Sequence, residues 1–308
     1  MRAIDMFAGW GGFTSGAEAA GASVVWAGNH WKLAVEAHAA NHPNTLHVCQ
    51  DLQQTDWSLL PAYDLLLASP ACQGHSQAAQ PVRKAQGLVR KQHDDLRATA
   101  WAVISCVDAT RPKAVVVENV VDFTRWELFD LWLACFSKLG YQVEQKVALA
   151  TDHGVPQRRK RVVIVATLGQ LPDLTFDRPA VEPAFGPCVQ WAEGRWRRVA
   201  DAPAGAQQRM RRAVRNHGSR VISQHVTGHP GVPLDQAVRT ITTKDQWVVV
   251  NGDVYRPFTT REYARAMGFC DTYRWPDGAT RTDCIRGLGN AVPPPMAEAF
   301  VHRIMDAA

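Results

Sequence analysis

"IDMFAGWGGFTSG", residues Ile4 to Gly16, runs from an apolar stretch through a cluster of glycines into the opening of a helix. Ile4 to Phe7, with Arg2 and Ala3 before them, have the composition of a short strand. Gly9, Gly11 and Gly12 then make a turn, and the helix that follows is closed by Gly21. A turn of this kind lets backbone N–H groups approach a ligand, and the helix N-terminus behind it favours an anion. A nicotinamide fingerprint needs G-x-G-x-x-G with an acid at the end of the next strand. Thr14 stands where its third glycine would fall and Asn29 where the acid would be, which disfavours a dinucleotide and leaves a nucleoside cofactor bearing a carboxylate.

Outward from this turn, strand-like and helix-like segments alternate. "SVVWAG" (23–28), "DLLLAS" (64–69), "KAVVVENV" (113–120) and "RVVIVAT" (161–167) read as buried strands. "LAVEAHAANHP" (33–43), "DLRATAWAVISCVDAT" (95–110) and "LFDLWLACFSKLG" (128–140) read as helices. The alternation predicts an α/β fold, an open, mostly parallel, doubly wound sheet with helices on both faces. From residue 168 prolines at 172, 179, 183, 187 and 203 interrupt the pattern. "AQQRMRRAVRNHG" (206–218) then reads as helix and "AVRTITTKDQWVVV" (237–250) as strand, before helix returns in "TTREYARAMGF" (259–269) and "PPPMAEAFVHRIM" (293–305). The expected organisation is a first domain over 1–167, a smaller inserted domain over 168–249, and a return to the first domain over 250–308.

The chain has 308 residues, 46% hydrophobic and 20% charged, enough to bury a core. No run approaches the roughly 18 apolar residues of a membrane span, and the N-terminus lacks a basic-then-apolar leader. A cytoplasmic location with no membrane partner is expected. The seven cysteines are scattered and none are in C-x-x-C spacing, which argues against disulfides and against a metal site. The net charge of +5 is unevenly placed: residues 195–220 hold eight arginines against one acid, Asp201, so this segment carries +7 and the remainder −2. Arginine makes forked contacts with phosphate, and an arginine-only run beside Trp191 and Trp196 points to a polyanion.

Four further stretches carry chemistry. "ASPACQGHSQ" (68–77) follows a buried strand with Cys72. "VVVENV" (115–120) puts Glu118 and Asn119 at a strand end, and in an open sheet ligands bind beyond the carboxyl ends of strands. Gly9, Asn29, Cys72 and Glu118 all fall at such ends. "HGVPQRRKRVVIVA" (153–166) leads Gln157, Arg159 and Arg161 into a strand whose alternation would put the two arginines on one face. "GLGNAVPPPMAEAF" (287–300) is a turn followed by a proline-initiated helix.

Taken in order, these stretches resemble the cytosine-C5 DNA methyltransferases over nearly the whole chain outside the variable segment. "DMFAGWGG", "PACQGHS", "ENV", "QRRKR", "RPFTTREYARAMGF" and "GNAVPPPM" match the family's motifs in the family's order. The resemblance implies a class I methyltransferase-like fold with an inserted target-recognition domain. It implies S-adenosylmethionine as cofactor and duplex DNA as substrate, with the target base flipped out of the stack. It makes Cys72 the nucleophile that adds to C6 of cytosine, so that C5 attacks the cofactor's methyl group. Glu118 would hold the N3/N4 edge of the base, Arg161 its O2 side, and Arg159 would lie near the cysteine. Phe7, Gly9, Gly11, Asn29, Asp51 and Asn290 would line the cofactor. DNA contacts would come from Gln73, Ser76 and Arg97 in the loop after Cys72, from Gln157, and from Arg195, Arg197, Arg198, Arg211 and Arg215 in the basic segment.

Two positions depart from the family. Asn29 stands where a glutamate usually holds the ribose hydroxyls, and Ala71 where a proline usually precedes the nucleophile. Two rival functions are weighed against these residues. RNA cytosine-C5 enzymes of a separate family typically use a second cysteine where Glu118 stands, and the tRNA-modifying branch of the same family has little variable domain, whereas 168–249 here carries the basic run. A catalytically silent DNA-binding relative would be expected to lose its nucleophile, and Cys72, Glu118, Arg159 and Arg161 are all present. A monomer of prokaryotic or phage origin is expected, with a cognate restriction endonuclease acting on the same site as the matching partner.

Overall fold

The computed structural model describes residues 1–71 and 88–307, the side chains of 88–98 excepted. The chain divides into two compact units. The first comprises Met1–Leu149, Lys160–Phe176 and Val292–Ala308; the second comprises Ala150–Arg159 and Asp177–Ala291.

The first unit is built on seven strands: β1 (Arg2–Met6), β2 (Ser23–Asn29), β3 (Leu46–Cys49), β4 (Leu65–Ala68), β5 (Ala114–Asn119), β6 (Gln142–Leu149) and β8 (Lys160–Thr167), with β7 (Gln157–Arg158) belonging to the second unit. Their order is β3-β2-β1-β4-β5-β8-β6. The first five run parallel; β8 is antiparallel to both β5 and β6. The sheet is therefore mostly parallel, as the alternation of segments predicts. Its helices are α1 (Gly12–Ala19), α2 (Lys32–Asn41), α3 (Leu88–Thr110), α4 (Phe129–Lys138) and α8 (Pro294–Ala307), the last numbered after three helices of the second unit.

Strand alternation divides the core in two. Ile4, Met6, Leu66, Val115, Val117 and Ile164 point to one face, against Val103 and Val107 of α3 and Phe129, Trp132 and Phe136 of α4. Ala3, Leu65, Leu67, Val116, Val163 and Val165 point to the other, against Phe13 and Ala17 of α1 and Met296, Phe300, Val301 and Ile304 of α8. Buried on both faces, β4 and β5 read as unbroken apolar runs.

The second unit has its own sheet, formed from β9 (Arg197–Arg198), β10 (Arg220–Gln224), β11 (Val232–Pro233), β13 (Trp247–Asn251) and β14 (Val254–Pro257) in the order β11-β10-β13-β14-β9. A separate parallel pair joins β7 to β12 (Val238–Arg239). Helix α5 (Ala204–His217) packs Met210 and Ala213 onto Val221, Val248 and Val250. The unit is completed by α6 (Thr260–Ala266) and α7 (Arg281–Asn290). Arg256 and Glu262 form a fully buried pair at 2.6 Å, and Glu262 also closes the capping box of Thr259.

Three sequence expectations need correction. Residues 250–291 do not return to the first unit, because β14 completes the second sheet against β13 and β9; only Val292 onward rejoins. Ala150–Arg159 also belong to the second unit, held there by the β7–β12 pair. The stretch 237–250 is two strands rather than one, with residues 240–246 as a loop between them.

One close approach fixes the packing of α1 on α8. A Cβ at Gly16 would lie 2.4 Å from the Pro294 carbonyl oxygen and 2.7 Å from the Glu298 nitrogen, both backbone atoms with little freedom to move. Gly16→Ala is expected to lower the stability of the first unit by about 1–3 kcal/mol, the usual cost of overpacking. Urea unfolding followed by far-UV circular dichroism measures it; an unchanged midpoint would show that the helices can separate freely.

Candidate active site

The carboxyl ends of β1, β2, β4 and β5 lie along one edge of the first sheet, and the start of antiparallel β8 comes to the same edge. Glu118 is next to last in β5, and Arg161 is second in β8. Their side chains meet at 2.8 Å, Arg161 Nε to Glu118 Oε1, with both residues buried. Arg161 Nη1 also donates to the Lys160 carbonyl at 2.7 Å. A paired guanidinium and carboxylate, both held out of bulk water, present a polar edge with fixed orientation to anything that enters.

Asn119, beside Glu118, does a different task. Its side-chain NH2 donates to the Pro70 carbonyl at 3.1 Å, and its Oδ1 accepts from the Val120 N–H at 2.8 Å. The Ala71 N–H donates to Thr99 Oγ1 at 3.1 Å. The two residues leading to Cys72 are therefore tied to the end of β5 and to α3. Without the usual proline at 71, these two hydrogen bonds supply the local constraint. Sequence reasoning missed Thr99. Cys72, Gln73 and Ser76 lie outside the described residues, as does the Arg97 side chain.

At the end of β1 the backbone turns sharply. Phe7, Gly9 and Gly11 all have positive φ, at 60°, 54° and 71°. Gly11 caps α1 without a side-chain hydrogen bond, and no acid occupies the helix's first turn; the Thr14 amide turns to the Asp5 carboxylate, which leaves those of Gly12 and Phe13 for an acceptor. Asn29, at the end of β2, is 8% exposed; its Oδ1 accepts from the Trp31 N–H at 2.9 Å, which leaves its NH2 as donor. Asp51 caps a short 3-10 turn through Oδ1, which accepts from Gln53 N–H at 3.0 Å, and is otherwise exposed. Ala8, Gly9, Ala27, Gly28, Asn29, Val35, His38 and His47 line a shallow crevice at this edge, too tight to hold a water molecule. An uncapped helix start, a glycine turn and a side-chain donor next to it fit a nucleoside cofactor with an anionic end. Asn290, expected to line the same cofactor, is exposed at the last position of α7 in the second unit.

The arginines of "QRRKR" do not share a strand face. Arg159 falls between β7 and β8, where the chain passes from the second unit to the first, so strand alternation does not carry across it. It is 2% exposed and donates to three carbonyls, those of Ile241, Gly289 and Ala291, each at 3.0 Å. Gln157, expected to touch DNA, is fully buried. Its Nε2 donates to the Ala266 carbonyl at 3.1 Å and its Oε1 accepts from the Ile241 N–H at 2.7 Å. Both side chains here tie loops of the second unit together, and for Gln157 this replaces the expected DNA contact.

The basic segment is distributed over β9, α5 and their surroundings. Arg195, Arg197, Arg198, Arg211 and Arg215 are exposed, whereas Arg209 and Arg212 are partly buried. Arg198, Arg211 and Arg215 converge on one pocket of about 340 Å³, floored by Val199, Met210 and Val214 and bordered by Gly252 and Asp253. Trp191 and Trp196 lie nearly parallel with centroids 6.3 Å apart, with Arg220 over the first at 4.8 Å and Arg256 over the second at 5.2 Å. Among the described residues, no three His, Cys, Asp or Glu side chains are placed to hold a metal ion, and no helix is long and apolar enough to cross a membrane.

The sequence matches the family described as C-5 cytosine-specific DNA methylase over residues 1–185 and 190–306. It is 28% identical to the Type II methyltransferase M.NlaX of Neisseria lactamica across 100% of this chain and 97% of that protein. It is 30% identical to the Type II methyltransferase M.HhaI of Haemophilus parahaemolyticus over 58% of this chain and 53% of that one. In fold it is similar to a prophage-encoded protein of E. coli described as a DNA modification methyltransferase, with a TM-score of 0.74 at 18% identity over 100% and 99% of the two chains. It is also similar to the Dnmt2 methyltransferase of S. pombe, with a TM-score of 0.70 at 17% identity over 99% and 98%. With the family matched along almost its entire length, the chain belongs to the C-5 cytosine-specific DNA methylases.

Proposed function

We propose that this chain transfers a methyl group from S-adenosylmethionine to C5 of a flipped-out cytosine in duplex DNA, with Cys72 as nucleophile. The observation that carries the residue-level reading is the buried Glu118–Arg161 pair at the strand edge that leads to Cys72. When bound, the cofactor supplies an electrophilic methyl group on sulfur. Cytosine C5 is a weak nucleophile until a group adds at C6, and a thiolate at position 72 adds there and gives C5 enamine character. Glu118 holds the N3/N4 edge and offsets the charge that develops on the ring; Arg161 orients Glu118 and faces O2. Loss of the C5 proton then expels the thiolate. Toward the cofactor, the first amides of α1 and the Gly9–Gly11 turn take the carboxylate end. Asn29 donates to a ribose hydroxyl, Asp51 accepts from the adenine amino group, and Phe7 packs near the base.

Arg159 supports the reaction indirectly, by holding the loops at Ile241 and Gly289–Ala291, next to Asn290. The second unit reads DNA, with Arg195, Arg197, Arg198, Arg211 and Arg215 facing its phosphates. A cytoplasmic protein paired with a restriction endonuclease for the same site is the setting supported by the Type II methyltransferases it is similar to.

Incubation of duplex DNA with the protein and S-adenosylmethionine, followed by mass identification of nucleosides, is expected to yield 5-methylcytosine. DNA carrying 5-fluorocytosine is expected to trap the wild type covalently and the Cys72→Ser variant not at all. Product confined to N4-methylcytosine, or trapping that persists without Cys72, would refute the mechanism.

The arginines divide into pairs by exposure. Removing one arginine–phosphate interaction flattens the plot of log affinity against log salt by about 0.9 for duplex DNA. Arg211→Ala with Arg215→Ala is expected to flatten the slope by about 2 on that scale. Arg209→Ala with Arg212→Ala, at partly buried positions, is expected to change the slope little. Target sequence should survive either change, since interactions with phosphate position the protein without specifying sequence. Equal slopes for all three proteins would leave the basic run as a solvated face.

A further inference from the structure

A chain of buried hydrogen bonds runs beneath the glycine turn, outside the residues given any catalytic part above. Asp5 of β1 is fully buried, and Thr14 of α1 donates Oγ1–H to its Oδ2 at 2.8 Å. His38 of α2, 1% exposed, places Nε2 at 2.9 Å from the same Thr14 oxygen. Its Nδ1 lies 2.8 Å from Nε2 of His47 on β3, a partly exposed residue. A carboxyl group with no direct route to water is thus connected to it through a hydroxyl and two imidazoles.

The chain bears on the turn itself. A Cβ at Gly11 would sit 3.1 Å from His38 Cδ2 and 2.8 Å from His42 Nε2, so the imidazoles back directly onto the turn. His38 and His47 line the same tight crevice as Gly9 and Asn29.

We propose that Asp5, Thr14, His38 and His47 form a one-proton relay, and that His38 is a positioning residue through which the charge on Asp5 sets the affinity of the glycine turn for a cationic cofactor. This rests on reading the turn as the S-adenosylmethionine site.

The relay has two complete arrangements. With Asp5 ionised, Thr14 donates to Asp5, His38 donates from Nε2 to Thr14, and His47 donates from Nε2 to His38 Nδ1. A proton arriving at His47 Nδ1 releases the Nε2 proton to His38 Nδ1. The His38 Nε2 proton then passes to Thr14, and the Thr14 proton to Asp5. Each N–H or O–H bond that breaks is matched by one that forms. The hydrogen bonds all reverse direction, both imidazoles end neutral, and the only change in charge is the loss of the Asp5 carboxylate.

The surroundings suit this arrangement. Burial pushes the Asp5 carboxyl up to about 7 against the opposing pull of Thr14, so it changes charge near neutrality. Burial lowers His38 well below the ordinary imidazole range, and His42 and His47 repel a charge there as well; burial and His42 lower His47 too. His42, also buried, has its own partners, with Nδ1 2.7 Å from Glu18 Oε2 and Nε2 3.2 Å from Ser15 Oγ. Further charged groups lie on the packed elements. Lys32 and Glu36 pair on α2, Asp64 pairs with Lys113 just before β4, and Glu298, His302 and Arg303 lie on α8. Cys49 on β3 approaches the His30 carbonyl.

An ionised carboxylate in a low-dielectric site favours a nearby cation far more than it would in water. S-adenosylmethionine carries a sulfonium; the product S-adenosylhomocysteine does not. Ionised Asp5 beneath the turn therefore adds a preference for substrate over product, and its protonation removes that contribution.

Two measurements test the relay. On the cofactor-free protein, the Asp5 carboxyl carbon and the histidine ring nitrogens are followed by NMR from about pH 5 to 9. Asp5, His38 and His47 are expected to share one midpoint near neutrality, with both imidazoles exchanging tautomers rather than gaining charge. In His38→Phe, the His47 tautomer is expected to stop following Asp5. By calorimetry, the affinity for S-adenosylmethionine relative to S-adenosylhomocysteine is expected to rise several-fold across that midpoint in the wild type and to stay flat in Asp5→Asn. The stability sign is also set. The folded state holds a proton on Asp5 that the unfolded chain releases, so stability is lost as pH rises from the ordinary carboxylate range through about 7. Asp5→Asn removes that loss. An Asp5 signal that does not move, imidazoles that titrate separately, or a flat affinity ratio in the wild type would each overturn the proposal. No binding of either cofactor at any pH would instead overturn the assignment of the turn, while the NMR titration would still decide the relay.

Discussion

A single strand runs against the grain of the first sheet. Six of the seven strands share one direction, and the carboxyl ends of β1, β2, β4 and β5 define one edge; β8 enters between β5 and β6 in the opposite sense. Because it is antiparallel, its beginning rather than its end comes to that edge, and Arg161 lands beside Glu118. Had β8 been parallel, the first residues of the strand would lie at the far side of the sheet, and Glu118 would be a buried carboxylate without a guanidinium. Removing one member of a buried ion pair is destabilising, so the direction of the strand and the pair support each other. The same reversal explains why Arg159, two residues earlier, has its partners elsewhere: the chain has not yet entered the sheet.

Much of this was legible in the sequence where burial was complete. β4 and β5, covered on both faces, appear as Leu65–Leu67 and Val115–Val117, and a run of that kind has few other readings. In the first sheet the strands missed were β3 and β6, the two edges, whose half-exposed residues mix polar and apolar types in "LHVC" and "QVEQKVAL". Helix α7 was missed because Gly287 and Gly289 lower its propensity; its capping box, Thr280 with Asp283, was the available signal. At the site, strand-end positions could be read for Asn29 and Glu118. Gln157 and Arg159 could not be separated from surface residues, because a motif shows which residue types occur together and says nothing of which carbonyls they meet. The buried histidines followed the same rule: three imidazoles at 38, 42 and 47 are ordinary in sequence, and only packing against Asp5 and Thr14 makes them a connected group.

Polar groups in this molecule are buried in two styles. In the second unit, Arg256 is paired with Glu262 and Arg159 is held by three carbonyls, fixed donors to fixed acceptors with no group placed to pass a proton on. Beneath the glycine turn the groups are single hydrogen-bonded steps, each able to donate or accept. The first style makes a rigid frame; the second makes a responsive one, and it sits where a ligand of changing charge would be held.

The close approach at Gly16 has a consequence for the order in which the protein is made. α1 is finished within the first twenty residues, yet the apolar face it shares with β1 and β4 is covered by Met296, Phe300, Val301 and Ile304. During translation, at about 5–20 residues per second, Phe13 and Ala17 wait on the order of tens of seconds for their partners to leave the ribosome. The second unit's segment emerges complete in that interval. Vectorial synthesis therefore lets the inserted unit fold first and leaves the nascent first unit with an exposed apolar surface, the species on which a chaperone would act and on which premature termination near residue 290 would be most costly.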